Sequence, residues 1–321
     1  MPDMGQSSAS AAAPTAASSA RAAGSAVGRG YAATIGAFAI WGVFPLYLFG
    51  LRPVPATEIT AHRVVWSFVV VLAWLALSGE LPKMRAAALR KGVLPRLVLS
   101  ATFIAINWLG FAWAVNHHRV LEVSLAYFIG PLLNVMLGIV VLKERLNATQ
   151  WVSVAFAAAG VAYLSFIAGQ APWIALMVGS SFALYGVIRK TVAIDALPGL
   201  AIETTLLLPF AAGYLVWCEV SGAAALGHSS ALVNGLLLAS GIITSVPLVM
   251  FAFGARQVPY STVGVLQFIG PSLQLVCGLV VFGEKLDSHR AVGFCLIWAG
   301  LLIYIANAMG TFLNTRKRGQ G

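Results

Sequence analysis

Long apolar runs alternate along the chain with short polar or Pro/Gly-rich breaks. The runs are all between 17 and 25 residues long. They fall near 31–50, 56–78, 95–115, 121–142 and 148–168, and again near 173–189, 198–218, 231–255, 260–282 and 290–312. A helix crossing a hydrocarbon core of about 30 Å needs about 20 apolar residues. The pattern therefore predicts an all-α integral membrane protein with ten transmembrane helices. The seventh run is the weakest, because Glu203 and Pro209 interrupt it.

Composition points the same way. Of the 321 residues, 60% are hydrophobic and 9% charged, whereas a soluble domain carries about 25% charged residues. The net charge of +10 is then no nucleic-acid footprint, and no nucleic-acid partner is expected; it belongs to loops. With the N-terminus inside, 15 of the 20 Lys and Arg fall on inner segments. Four (Arg52, Arg119, Lys285 and Arg290) fall on outer loops, and Arg63 alone stays in the membrane. Cytoplasmic loops are enriched in Lys and Arg, so both termini are predicted inside. Residues 1–29, rich in Ala, Ser and Gly, lack the apolar core of a cleaved signal peptide and read as a disordered cytoplasmic tail. Cys218, Cys277 and Cys295 lie in apolar runs without metal spacing and read as free thiols.

The chain repeats itself. "FIGPLLNVMLGIVVLKERL" starts at Phe128 and "FIGPSLQLVCGLVVFGEKL" at Phe268, an offset of 268 − 128 = 140. A weaker echo, "FAIWGV" from Phe38 and "FALYGV" from Phe182, sits at 182 − 38 = 144. Residues 30–169 and 170–312 are thus two five-helix repeats, followed by a short tail at 313–321. Five is odd, so the second copy is inverted in the bilayer. Inverted repeats are a recurring plan of secondary transporters, with substrate bound at the repeat interface near the midplane. A duplication that records only ancestry and packing is the other reading.

Several strings resemble the RarD-type proteins of the EamA family, within the drug/metabolite transporter superfamily. They are "TEITAHRVVWSF", "NWLGFAWAVNHHRVLEVSLAYFIGPLLNVMLG", "LKERLNATQW" and "AIETTLLLP", and the resemblance covers roughly residues 30–310. It implies ten helices in two inverted five-helix repeats, an inner-membrane location and export or exchange of small metabolites. It does not imply a particular substrate.

Candidate chemistry is sparse. Glu58 and His62 share a helix face at i, i+4, with Arg63 about 100° away. Glu203 occupies the corresponding region of the second half. His62, Arg63 and Glu203 are candidates for a substrate or proton pathway, with Glu203 reaching a shared cavity from the opposite side. Such a cavity would hold both charge signs, as zwitterionic or polar metabolites require. The plainer alternatives are a helix-capping Glu58, a snorkelling Arg63 and a packing His62. Asn107, Trp108, Tyr127, Asn134, Gln267 and Gln274 are polar or aromatic positions that either line a pathway or hydrogen-bond helices together. Tyr127/Gln267 and Asn134/Gln274 are mates at offset 140; Trp41 and Tyr185 are mates at 144, each followed by Gly. Pro131 and Pro271 are matched hinge candidates. Glu144 and Glu284 are expected to be solvated or paired with Arg145 and Lys285.

"GLVVFGEK", from Gly278, nearly spells a phosphate loop. However, Glu284 intervenes and no Ser or Thr follows Lys285. No metal, cofactor or catalytic set is expected, so the chain is expected not to be an enzyme. The sequence predicts a secondary transporter exporting or exchanging small metabolites or drugs, including amino-acid-like solutes, by alternating access. Proton antiport with Glu203 or His62 as carrier and facilitated diffusion both remain open, and so does the oligomeric state. An integral-membrane enzyme or lipid-handling protein is the alternative.

Overall fold

In a lipid phase the backbone N–H and C=O groups have no water to bond, so each apolar run satisfies them internally as a helix. A computed structural model describes residues 16–117, 119–169, 173–283 and 288–318. Its side chains are described from residue 26 onward, apart from 120–124, 168, 309 and 311–318. Among these residues there are twelve helices and no strand. The first half holds α1 (Ala16–Gly50), α2 (Ala56–Leu77), α3 (Leu81–Ala88), α4 (Val93–Asn116), α5 (Val120–Val140) and α6 (Ala148–Ala168). The second holds α7 (Trp173–Thr191), α8 (Ala196–Val220), α9 (Ala231–Gln257), α10 (Tyr260–Gln267), α11 (Ile269–Val280) and α12 (Ser288–Arg318).

Eight described segments are long and apolar enough to cross a membrane: α1, α2, α4, α6, α8, α9, α10–α11 taken together, and α12. α5 offers only Leu125–Val140 as a shorter apolar helix, and α7 is not among the eight, ending on the polar pair Arg189 and Lys190. Large apolar side chains face outward, with Phe210 78% exposed. On a soluble protein that surface would aggregate; here it faces lipid. The protein is an all-α membrane protein.

The helix ends follow local chemistry. Asn147 and Gln150 form a reciprocal capping box at the start of α6, each side chain accepting the other's backbone N–H at 2.9 Å. α1 begins further back than expected: its helical backbone already includes Arg21 and Arg29, while residues 1–15 lie outside the described residues. Short α3, carrying Lys83 and Arg85, fills what the sequence left as an inner loop. The α10–α11 break at Phe268 precedes Pro271, which has no N–H to offer the carbonyl of residue 267. Its counterpart Pro131 sits inside an unbroken α5.

Packing pairs come in matched sets. α1 packs on α9 as α7 packs on α4, and α5 packs on α7 as α11 packs on α1. α2 meets α8, α5 meets α10, and α6 meets α12. Exchanging the first five long helices for the last five, in order, returns the same set. At the α6–α12 crossing Gly160 and Gly300 permit backbone contact. A Cβ on Gly160 would lie 2.7 Å from the Gly293 carbonyl oxygen, and one on Gly300 2.6 Å from that of Ser153.

Candidate functional site

A cavity of about 120 Å³ lies between the halves, enough for several waters. α1 supplies Phe38, Trp41 and Phe44; α2 supplies Arg63; α4 supplies Asn107, Trp108 and Phe111. α5 contributes Ala126, Tyr127 and Gly130, while α7 contributes Val178, Gly179 and Phe182. Leu248, Gln267, Gly270, Pro271 and Gln274 complete the wall from α9 to α11. Matched positions of the two halves line it together: Phe38 and Phe182, Tyr127 and Gln267, Gly130 and Gly270. Seven residues the sequence singled out are present, namely Trp41, Arg63, Asn107, Trp108, Tyr127, Gln267 and Gln274, together with the hinge candidate Pro271.

Arg63 is the charged group of the described lining. Its Nε donates to Thr244 Oγ1 at 3.0 Å. Its guanidinium carbon lies 4.7 Å from the Trp108 ring centroid and 5.2 Å from that of Phe44. The amides are partly committed. Asn107 Nδ2 donates to the Val178 carbonyl at 2.7 Å, and Gln274 Nε2 to that of Trp41 at 3.3 Å. Each leaves its side-chain oxygen for the cavity. Gln267 Oε1 accepts from Asn134 Nδ2, and the Tyr260 hydroxyl lies 2.9 Å from Asn134 Oδ1. Asn134 is fully buried behind the wall and braces Gln267.

Other expected residues are not brought to the wall. His62 is 3% exposed and turns to Glu58, its Nε2 3.7 Å from Oε1. Glu58 does not cap its own helix: its Oε1 accepts the Ala225 N–H at 2.7 Å, tying α2 to the α8–α9 loop. Glu203, 1% exposed, accepts from Ser100 Oγ at 2.5 Å and lies 3.7 Å from Arg189 Nη1. Neither His62 nor Glu203 lies on the described cavity wall beside Arg63: His62 turns to Glu58, and Glu203 to Ser100 and Arg189. Pro131 and Tyr185 also lie off the described wall. Arg189, which sequence reasoning missed, reads there as the end of an apolar run beside Lys190.

Tyr185 belongs to an aromatic layer. Its ring lies 5.9 Å from Phe182 and 6.1 Å from Phe251, and Trp41 lies 5.5 Å from Phe182 and 5.7 Å from Phe38. Phe38, Trp41 and Phe182 of this layer line the cavity, and Tyr185 sits beside Glu203 and Arg189. Helix ends define two faces. Trp113 meets Trp173 at 5.7 Å and Phe49 meets Phe282 at 5.2 Å on the face nearer the cavity. On the other face charges tie helix ends together. Glu144, expected to be solvated or paired with Arg145, instead accepts the N–H groups of Tyr260 and Ser261 at 2.5 and 2.8 Å. Lys190 Nζ donates to the Ala255 and Val258 carbonyls at 2.8 and 2.6 Å, and Arg256 Nη1 meets Asp195 at 3.0 Å. Glu284 and Lys285 lie outside the described residues. Among the described residues no group of His, Cys, Asp and Glu could hold a metal ion; Cys218, Cys277 and Cys295 are free.

The comparisons with known proteins identify a membrane transporter. The EamA-like transporter family matches residues 28–166. An uncharacterized transporter of Pseudomonas aeruginosa is 42% identical, over 87% of this chain and 94% of its own. Protein RarD of Escherichia coli K12 is 39% identical, over 90% of this chain and 98% of its own. An uncharacterized transporter of Bacillus subtilis is 41% identical over 86% and 93%. A crystal structure superposes with a TM-score of 0.65, covering 87% of this chain and 96% of that one; at 18% identity it speaks to fold alone. The chain belongs to the EamA-like transporter family, as a RarD-type, multi-pass bacterial membrane protein.

Proposed function

We propose that this protein is a secondary transporter of the inner membrane that exports or exchanges small metabolites or drugs by alternating access. In this reading ten spans, α3 excluded, form two inverted five-helix repeats with both termini inside. The matched helix pairings and the fifteen-to-four charge bias support it.

One observation carries the proposal: a half-buried arginine in a cavity walled by matched positions of both halves. An arginine at the centre of a membrane helix costs about 2.5–3.5 kcal/mol on insertion scales. A polar cavity relieves that cost, and its place between the halves is where a substrate site belongs. The aromatic layer and the charged ties below it are the closed gate. Where protons drive transport, the carrier we assign is Glu203, beneath that gate.

Counterflow in proteoliposomes against a panel of labelled amino acids and other small metabolites tests this. The expected result is saturable exchange of at least one solute, lost in Arg63→Ala although the variant inserts normally. Glu203→Gln should keep exchange and lose any response to a pH gradient. If no solute on the panel exchanges, the transporter reading fails.

A further inference from the structure

The cavity wall carries one cation and, among the described residues, no Asp or Glu. The buried acids Glu58 and Glu203 and the partly buried Glu144 are engaged elsewhere. Glu58 holds the Ala225 N–H, Glu203 faces Arg189 and Ser100, and Glu144 caps α10. No described carboxylate pairs with Arg63, whose ionisable neighbours are the phenols of Tyr47 and Tyr127.

The orientation of that guanidinium is fixed on three sides. Thr244 accepts from Nε, and the rings of Trp108 and Phe44 lie against it. What remains open is the edge that bears the two Nη groups. A planar fork met edge-on is the geometry that carboxylates satisfy with two parallel hydrogen bonds. The other free polar atoms, the oxygens of Asn107 and Gln274 and the Tyr127 hydroxyl, are neutral. An ammonium group entering here would meet Arg63 in a low-dielectric site with no counter-charge, and like charges there repel strongly. Trp41, Phe182 and Phe38 also line the cavity, with Trp41 tilted against Phe38 and edge-on against Phe182. Their apolar surfaces suit a flat hydrocarbon body.

We infer that the cavity takes a small organic monoanion, with one carboxylate on the open edge of Arg63 and an apolar, flat body against the rings, and that it turns away zwitterions and cations. This rests on reading the cavity as the transport site, and it departs from the two-signed cavity expected of the sequence.

The test is calorimetric titration of the purified full-length protein with four probes of matched shape: 3-phenylpropanoate, phenylalanine, 2-phenylethylamine and 3-phenylpropanamide. Charge-assisted pairing of this kind is worth about tenfold or more in affinity, so 3-phenylpropanoate should bind at least about tenfold tighter than the other three. Arg63→Gln should remove that advantage while binding of the neutral amide changes by less than about threefold. Arg63→Lys, which keeps the charge and loses the fork, should fall between. Thermal melts check that each variant folds. Should Arg63→Gln not fold, the ranking on the parent and a loss of several-fold in Thr244→Val decide the matter. Equal or tighter binding of phenylalanine or the amine, unchanged anion binding in Arg63→Gln, or no saturable binding of any probe overturns the inference. Anion binding without exchange of any solute would instead overturn the transporter reading and leave the anion site standing.

Discussion

Arg63 and Arg189 are the same residue type held in opposite ways. Arg63 has a hydroxyl and two rings for company, whereas Arg189, 1% exposed, has the Glu203 carboxylate at 3.7 Å and the Ala196 carbonyl at 2.7 Å from Nη2. Gly199 lets the second guanidinium in, because a Cβ there would collide with it. Only the first is legible in the sequence. Arg63 stands alone inside an apolar run, so its cost announces a cavity; Arg189 adjoins Lys190 at a run's end and passes for a loop charge. Likewise the sequence marks Asn134 and Gln267 as equals, and only packing shows that one braces the other. Removing one partner of a buried ion pair costs about 3–5 kcal/mol, because the other charge is left uncompensated. Arg189→Met should therefore lower the melting temperature in detergent sharply. Adding Glu203→Leu to it should recover much of the loss. Simple addition of the two single effects would mean that the pair does not couple.

At the scale of elements, run length predicts helices well, since a membrane helix has one way to satisfy its backbone. It predicts less well where a short surface helix such as α3 has no membrane signal. The prolines are the instructive case. Both stand at matched positions, yet only Pro271 accompanies a break, a difference that the sequence pattern around them does not carry. Close crossings are legible only as matched glycines. At α6–α12 the partner backbone leaves no room for a Cβ, and overpacking a tight site costs typically about 1–3 kcal/mol. Gly160→Val and Gly300→Val should each lower the thermal midpoint to a similar degree. Gly235→Val, where nothing lies within 4 Å of an added Cβ, should leave it nearly unchanged. Unequal effects at the two mates would argue against an equivalent role in the two halves.

For the molecule as a whole, the proposed sidedness rests on the charge bias and the proposed two-fold plan on the repeat. Neither says which side of the cavity is closed, because closure depends on how distant helix ends meet. They meet through matched dipoles: Glu144 sits at the N-terminus of α10 and Lys190 at the C-terminal carbonyls of α9, each charge at the end that attracts it. In the proposed orientation these ties, with Arg256 and Asp195, are what closes the face assigned to the cytoplasm. Weakening them should shift the population toward the opposite opening, since a transporter's two states differ by only a few kcal/mol. Ala126, small and on the cavity wall, is the reporter position. In a chain with Cys218, Cys277 and Cys295 replaced by Ala, Ala126→Cys should react with a membrane-impermeant maleimide several-fold faster from the periplasmic side than from inside-out vesicles. Adding Glu144→Gln and Lys190→Met should raise labelling from the cytoplasmic side and lower it from the other. That reciprocal change is what alternating access demands and a permanently open pore cannot give. Labelling equally fast from both sides in the parent would indicate a pore. Faster labelling from inside-out vesicles in the parent would reverse the assigned orientation. A rise on one side with no fall on the other would mean that the charged ties stabilise the fold without gating it.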